Sequence, residues 1–438
     1  MGRAGDTARW AVVTGIFRSL STVARLSGDP VGAALSGTKF LLDPYPFYDD
    51  VRRRGRLVPG RLIWPTADYA LCREILRDNR FIKAEDGTEE APLIFRLASQ
   101  RADPKVAHPL LPPSMLSVNP PEHTRYRTLV SKAFTVRAIE QLRPRVQQVA
   151  DELLTAAAKN DQVDLIADFA GPLPVSIISE ILGIPPADRA EFRRLGSSLA
   201  RMIDLDLGRR DYIDAMGALR ELNAFFDRHI DQRRRDPGDD ILSRLVHVEV
   251  DGDRLTDYEL KATAILLLVA GFETTVNLIG NGTLLLLDHN DQREVLRDDE
   301  SLWPNAIEEM LRIDPPVQYT GRCAMEDVEI DGVAIPKRTM VATLIGGANN
   351  DPAVFAEPRR FDVTRANARE QLAFSAGIHY CLGAALARLE GHVALETLFT
   401  RYPDLEPAAA PVRRRTRLLR GYDSIPVRLR SRAVQALA

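Results

Sequence analysis

Apolar residues recur at helical spacing through most of the chain from Glu122 to about Phe399. That pattern predicts a mainly α protein. Ala67 to Arg77 reads the same way, and Thr256-Asp257-Tyr258-Glu259 has the composition of a helix start. Strand signals are fewer. Val328-Glu329-Ile330 and Val333-Ala334-Ile335 flank Asp331-Gly332, a strong short-range hairpin signal. A second hairpin is predicted from Gly55 to Trp64, turning at Pro59-Gly60. Residues 83–118 mix Pro, Gly and polar residues without a period and read as a long loop, which at that size is functional or disordered. The expected architecture is mainly α with a smaller β region, in a single large domain over residues 41–438. The main fold begins at Asp43-Pro44-Tyr45-Pro46-Phe47, behind an N-terminal extension of residues 1–40.

In that extension, Trp10 to Leu20 is apolar and set among Arg9, Arg18 and Arg25. It is too short to cross a bilayer and has no small-residue cleavage site. An amphipathic helix packed on the body of the protein is the expectation, and one lying on a membrane surface is the alternative. The most apolar run, Ala264 to Ala270, leads into Glu273, Asn277 and Asn281, which lipid would penalise, so no transmembrane anchor is expected.

Composition changes this picture little. The chain has 438 residues, 45% hydrophobic and 27% charged, with a net charge of −3, which fits a large core and gives no sign of a nucleic-acid binder. Three scattered cysteines, Cys72, Cys323 and Cys381, make no disulfide framework and point to a reducing, cytoplasmic compartment. Cys72 reads as an apolar filler on a helix and Cys323 as a strand residue. Arg413-Arg414-Arg415 reads as a solvated patch.

Cys381 is different. It lies in Phe374-Ser375-Ala376-Gly377-Ile378-His379-Tyr380-Cys381-Leu382-Gly383, directly ahead of a run of strong helix formers, Ala384 to Glu390. The free N–H groups and positive dipole end of a helix N-terminus favour thiolate over thiol. With no Cys or His at zinc spacing, the sulfur suits one axial bond to a haem iron; a buried structural cysteine is the alternative. A second polar signal interrupts the apolar helix at Ala270-Gly271-Phe272-Glu273-Thr274-Thr275. Read alone, it fits equally an oxygen- and proton-handling site or a helix face packed on water. Glu309 and Arg312 share a helix face ahead of Pro315-Pro316, and His123 and Arg127 share another after Pro120-Pro121.

Together these runs resemble the cytochromes P450. Their haem loop, Phe-Gly-x-Gly-x-His-x-Cys-x-Gly, is matched at Phe374, Gly377, His379, Cys381 and Gly383. The chain departs at Ser375, where Gly is usual and where Ser fits only if its φ is negative. The resemblance implies a haem b cofactor with Cys381 as the iron ligand. It implies Glu273 and Thr274 as the catalytic proton relay, and His123, Arg127, Arg322 and His379 as contacts to the haem propionates. Glu309, Arg312 and Arg360 would form the structural cluster under the haem. By position, Phe272, Val317 and Ile425 would line the substrate pocket. The implied reaction consumes O₂, two electrons and two protons, placing one oxygen in a lipophilic small molecule and the other in water. Electrons would come from a ferredoxin and its reductase, docking where Arg125 and Arg388 face the partner. A peroxide-driven enzyme and a non-catalytic haem sensor or carrier are the alternatives.

Overall fold

The computed structural model describes residues 3–84, 106–132, 134–200, 202, 207–249 and 252–429. Most of the 83–118 loop therefore lies outside the described residues.

The helices that build the site are α1 (Arg3–Leu26), α2 (Pro30–Ser36), α3 (Tyr69–Arg77), α4 (Glu122–Ser131), α5 (Arg143–Ala157), α6 (Pro172–Ile181), α7 (Arg189–Ala200), α8 (Arg209–Arg235), α9 (Asp257–Asp288), α10 (Trp303–Ile313) and α11 (Ala384–Arg401). The axis of the molecule is α9. Its 32 residues span roughly 48 Å at 1.5 Å per residue. It starts at a reciprocal cap: the Thr256 hydroxyl accepts from the Glu259 N–H at 3.3 Å, and the Glu259 carboxylate accepts from the Thr256 N–H at 2.7 Å. Because α9 is apolar on most sides it must be covered on most sides. Helices α6, α7, α8, α10 and α11 pack around it and share one continuous apolar core. Among the described helices α9 alone is long and apolar enough to span a bilayer, and it is buried within the protein.

The β region is smaller, as expected. Strands β1 (Trp64–Thr66), β2 (Phe81–Ile82), β3 (Thr320–Ala324) and β6 (Met340–Thr343) form a sheet in the order β1-β6-β3-β2. The Asp331-Gly332 hairpin joins β4 (Val328–Ile330) to β5 (Val333–Ile335), with both turn residues at positive φ. Near the C-terminus β7 (Val412–Arg413) pairs with β8 (Tyr422–Ser424), and β9 (Pro426–Arg428) lies between Val163–Asp164 and Glu406–Pro407.

The predicted hairpin from Gly55 to Trp64 does not form. Residues 55–63 run through turns, and Trp64–Thr66 instead pairs in parallel with β6, Trp64 opposite Val341. The wholly buried Met340–Thr343 strand offers an apolar partner that a local return could not, and Pro59 has no N–H to give to a ladder.

The N-terminal extension packs against α8. Asp6, fully buried, pairs with Arg220 at 2.5 Å, and the Trp10 indole N–H donates to the Leu207 carbonyl at 2.8 Å. Asp29 caps α2 through the N–H groups of Val31 and Gly32 and also accepts from the Arg61 N–H at 2.7 Å, which ties the extension to the loop ahead of β1.

Candidate active site

The Cys381 loop is shaped by backbone. Gly377 sits at φ +69°, and a Cβ there would fall 2.3 Å from the Leu76 carbonyl oxygen, so this position admits only glycine. Ser375 also takes a positive φ, +62°. The expected negative φ is thus corrected: the loop keeps the shape a glycine would allow, and serine bears the strain. Its hydroxyl is buried with no partner among the described residues. The Cys381 N–H donates to the Phe374 carbonyl at 2.9 Å, and Gly383 caps α11, which begins at Ala384. Cys381 keeps accessible surface although protein surrounds it deeply. Burial pushes its thiol above the usual range, opposed by the Gly383 N–H and by Arg127 and Arg388. The helix end alone therefore does not make a thiolate, and a metal that takes the sulfur would.

Beside this loop, cations converge. The His123 and His379 rings lie 4.2 Å apart. Burial lowers His123 to about 4, helped by Arg127 and Arg322. His379 is pushed far down by burial and then by Lys83, Arg322, His123 and Arg127. Both imidazoles are therefore neutral at pH 7. Arg322 donates to the Gly321 carbonyl at 2.8 Å and the Thr320 hydroxyl at 3.1 Å, while the Lys83 ammonium reaches the same hydroxyl at 3.2 Å. Arg127, half-buried, has no carboxylate partner among the described residues, and His379 Nε2 is buried without a hydrogen bond. Unmatched donors and like charges gathered in one place call for an anion with two negative groups, which the propionates of haem b supply. The donor set fits that cofactor. Lys83 is the member that sequence reading missed.

Helix α9 crosses α11 where Thr275 meets the buried Glu390 and Leu278 packs on Gly391. That crossing is roughly 9 Å along α11 from its first residue. Ala270 is exposed and Thr274 partly so, an accessible strip midway along the helix. The Thr274 hydroxyl donates to the Ala270 carbonyl at 2.9 Å. Glu273 is almost buried and is ion-paired with Arg414, which also holds Asp423 at 3.0 Å. The Arg413–Arg415 run is therefore not a solvated patch, since Arg413 packs over the Tyr422 ring and Arg414 reaches α9.

Beneath the loop, Glu309 and Arg312 are wholly buried and paired at 2.7 Å. The third member is Arg365, 3.1 Å from Glu309, and not Arg360. The Arg360 side chain turns out to Glu357 at the surface, and only its carbonyl joins the cluster, accepting from Arg312 and Arg365.

Other expected residues are placed elsewhere. Phe272 points from α9 to Gly196 on α7, about 200° around the helix from Ala270. Ile425 packs against Gly280, and its N–H donates to Asp164. Both are core side chains and not part of the accessible strip. Val317 is partly buried and bridges Leu419. The two arginines expected to face a redox partner are engaged. Arg125 grips Asp253 at 2.5 Å and Glu259 at 2.8 Å, and Arg388 holds Glu308 at 2.6 Å beneath the Phe374 ring. Cys72 and Cys323 are buried, on α3 and in β3.

Residues 207–412 match the family description "Cytochrome P450". The chain is 43% identical over 97% of its length to a putative cytochrome P450 140 of Mycobacterium tuberculosis, covering 98% of that protein. It is 41% identical over 90% of its length to the 6-deoxyerythronolide B hydroxylase of Saccharopolyspora erythraea, covering 98% of it. The crystal structure of the polyketide synthase cytochrome P450 PksS from Bacillus subtilis superposes with a TM-score of 0.79 at 37% identity, over 90% of this chain and 98% of that one. P450BioI, crystallised with an acyl carrier protein carrying hexadec-9Z-enoic acid, superposes with a TM-score of 0.82 at 35% identity, over 90% and 99%. With its thiol at a helix start and its unmatched donors beside it, the chain belongs to the cytochrome P450 family, as a haem b monooxygenase of the bacterial type.

Proposed function

We propose that this enzyme hydroxylates a polyketide-derived, macrolide-like small molecule in the cytoplasm, drawing electrons from a separate ferredoxin and its reductase. The observation that carries the reading is the Cys381 loop beside Arg127, which has no carboxylate partner among the described residues, and His379, whose Nε2 is buried there without a hydrogen bond. The substrate class is supported by relatives named for 6-deoxyerythronolide B hydroxylation and polyketide biosynthesis, alongside the PikC monooxygenase.

Bound haem supplies the oxygen activation and electron storage that no side chain here offers. The chain's own residues do the rest. Cys381 holds the iron. Arg127, Arg322, Lys83, His123 and His379 orient the propionates. Thr274 keeps a hydroxyl on the accessible strip of α9, with the Ala270 carbonyl as its resting acceptor. Glu273 holds and passes protons one residue away. The donor docks beside the thiol loop. There the exposed Arg73 and Arg77 lie on α3, whose backbone touches Gly377, and neither has an ion pair among the described residues. An acidic partner would be steered to them. Glu273 and Thr274 favour O₂ over peroxide as oxidant, because a peroxide-driven enzyme needs no such relay.

The test is direct. The reduced protein with carbon monoxide should give the strongly red-shifted Soret band of thiolate ligation, and Cys381→Ala should abolish it. Macrolide aglycones should shift the ferric Soret band to the blue and should be hydroxylated with a ferredoxin system. Turnover sustained by peroxide but not by that system would overturn the electron-donor reading. Fatty acids hydroxylated in place of macrolides would overturn the substrate class.

A further inference from the structure

A carboxylate in the middle of an apolar helix needs a reason to stay charged, and Glu273 has one in Arg414. The arginine follows β7 and is gripped by the opposing strand. Its N–H donates to the Gly421 carbonyl at 3.1 Å, its Nη2 to the Tyr422 carbonyl at 3.3 Å, and its Nε to Asp423 at 3.0 Å. The Nη1 side meets Glu273. Exposure rises along this line. The side chain is 6% accessible at Glu273, 20% at Arg414 and 56% at Asp423. One guanidinium thus stands in the wall of the protein, shared between an inner and an outer carboxylate.

A second observation lies one helical turn along α9. Asn277, 1% exposed, has both side-chain polar atoms buried without a partner among the described residues. It faces the same turn: a Cβ at Gly421 would fall 1.9 Å from Asn277 Oδ1. Residues four apart on a helix are neighbours, so Glu273 and Asn277 sit together. An amide with two unused bonding positions beside an ion pair gives a carboxyl group somewhere to go when the pair opens.

We propose that Arg414 is a positioning residue of the oxygenation reaction. It alternates between Glu273 and Asp423, so that protons reach α9 from the β7–β8 face of the molecule. Paired with Arg414, Glu273 is a carboxylate and cannot donate. When the guanidinium turns wholly to Asp423, the inner carboxylate loses its countercharge. It then takes a proton from bulk solvent, relayed along water admitted at that face so that no hydroxide remains inside, and turns to Asn277 and Thr274. After the proton leaves toward Thr274, the carboxylate re-forms and recaptures Arg414. The inference rests on the reading that Glu273 handles protons for this reaction.

Five variants of the haem-loaded enzyme test it. Arg414→Gln should lower turnover roughly tenfold, below the hundredfold or more a general acid contributes, and should raise the fraction of electrons lost to peroxide. Asp423→Asn removes the outer partner and should slow turnover about threefold with a larger solvent deuterium isotope effect, while its melting temperature stays that of the parent. Arg414→Lys should recover part of the loss. Infrared spectra give a readout independent of activity: Arg414→Gln should show a protonated carboxyl band that disappears in the Glu273→Gln, Arg414→Gln double variant. If Glu273→Gln impairs turnover while Arg414→Gln and Asp423→Asn keep the parent rate and isotope effect, the switch is refuted and the role of Glu273 stands. If Glu273→Gln itself is silent, both fall.

Discussion

Two arginine–glutamate pairs, a lower one on α10 (Arg312–Glu309) and an upper one reaching α9 (Arg414–Glu273), are built to different rules. In the lower one, the five N–H donors of Arg312 meet both oxygens of Glu309 and the carbonyls of Asn349, Pro358 and Arg360. Arg365 adds a second cation to Glu309 and three carbonyl bonds of its own. Nothing in that cluster is left to reorganise. In the upper one, Arg414 is shared between a buried and an exposed carboxylate, with an unsatisfied amide alongside. A buried charge that is fully bonded is held in one place, whereas one with unused bonding positions beside it is free to exchange partners. The chain uses the first arrangement to carry the cysteine loop and keeps the second for α9.

The sharpest way to break the contrast is to remove one partner of the saturated cluster. Arg312→Ala leaves Glu309 buried beside a single cation and should destabilise by about 3–5 kcal/mol, read as a large fall in melting temperature with loss of haem uptake. Arg365→Ala removes the second cation and should destabilise by about 1–3 kcal/mol, whereas Arg360→Ala, whose side chain lies at the surface, should stay within about 0.5 kcal/mol. Equal effects at 360 and 365 would dissolve the assignment of the cluster.

Glu390 sharpens the comparison by showing a buried acid with no cation paired to it among the described residues. Burial holds its carboxyl well above the ordinary range, against a weaker opposing effect of Thr275. In the unfolded chain it ionises near pH 4.3, at about the usual value. The native state keeps the proton, so stability is greatest below that pH and falls as pH rises toward the folded value. Glu390→Gln should therefore match the parent near pH 4.5 and exceed it by at least about 1 kcal/mol at pH 8, in denaturant titrations at the two pH values. A small effect belongs to Ser375, which takes a positive φ in the cysteine loop. Ser375→Gly relieves its positive φ and should stabilise by about 0.5–1 kcal/mol, since the strain removed exceeds the backbone entropy glycine adds. A loss of stability would mean the serine hydroxyl has a partner.

Local signals were legible and distant ones were not. The Asp331-Gly332 hairpin, the start of α9 at Thr256 and the turn-plus-helix around Cys381 all follow from residues adjacent in sequence. The Gly55–Trp64 hairpin failed because β1 found its partner some 280 residues away, in β6. Arg365 was overlooked because three arginines lie within six positions, and only packing decides which one points inward. Arg414 looked solvated because a charge run carries no record of the helix it will meet. Lys83 was hidden in a stretch without periodicity, although it lies beside Arg322 through their shared Thr320 hydroxyl.

The contact between Gly377 and α3 has a mechanical consequence. Backbone presses on backbone there, Leu76 and Arg77 against the loop that ends in the sulfur, with no side chain between them to deform. A push delivered to the outer face of α3 has no cushion to absorb it. The proposed metal ligand is thus fastened to the surface proposed to receive an electron carrier.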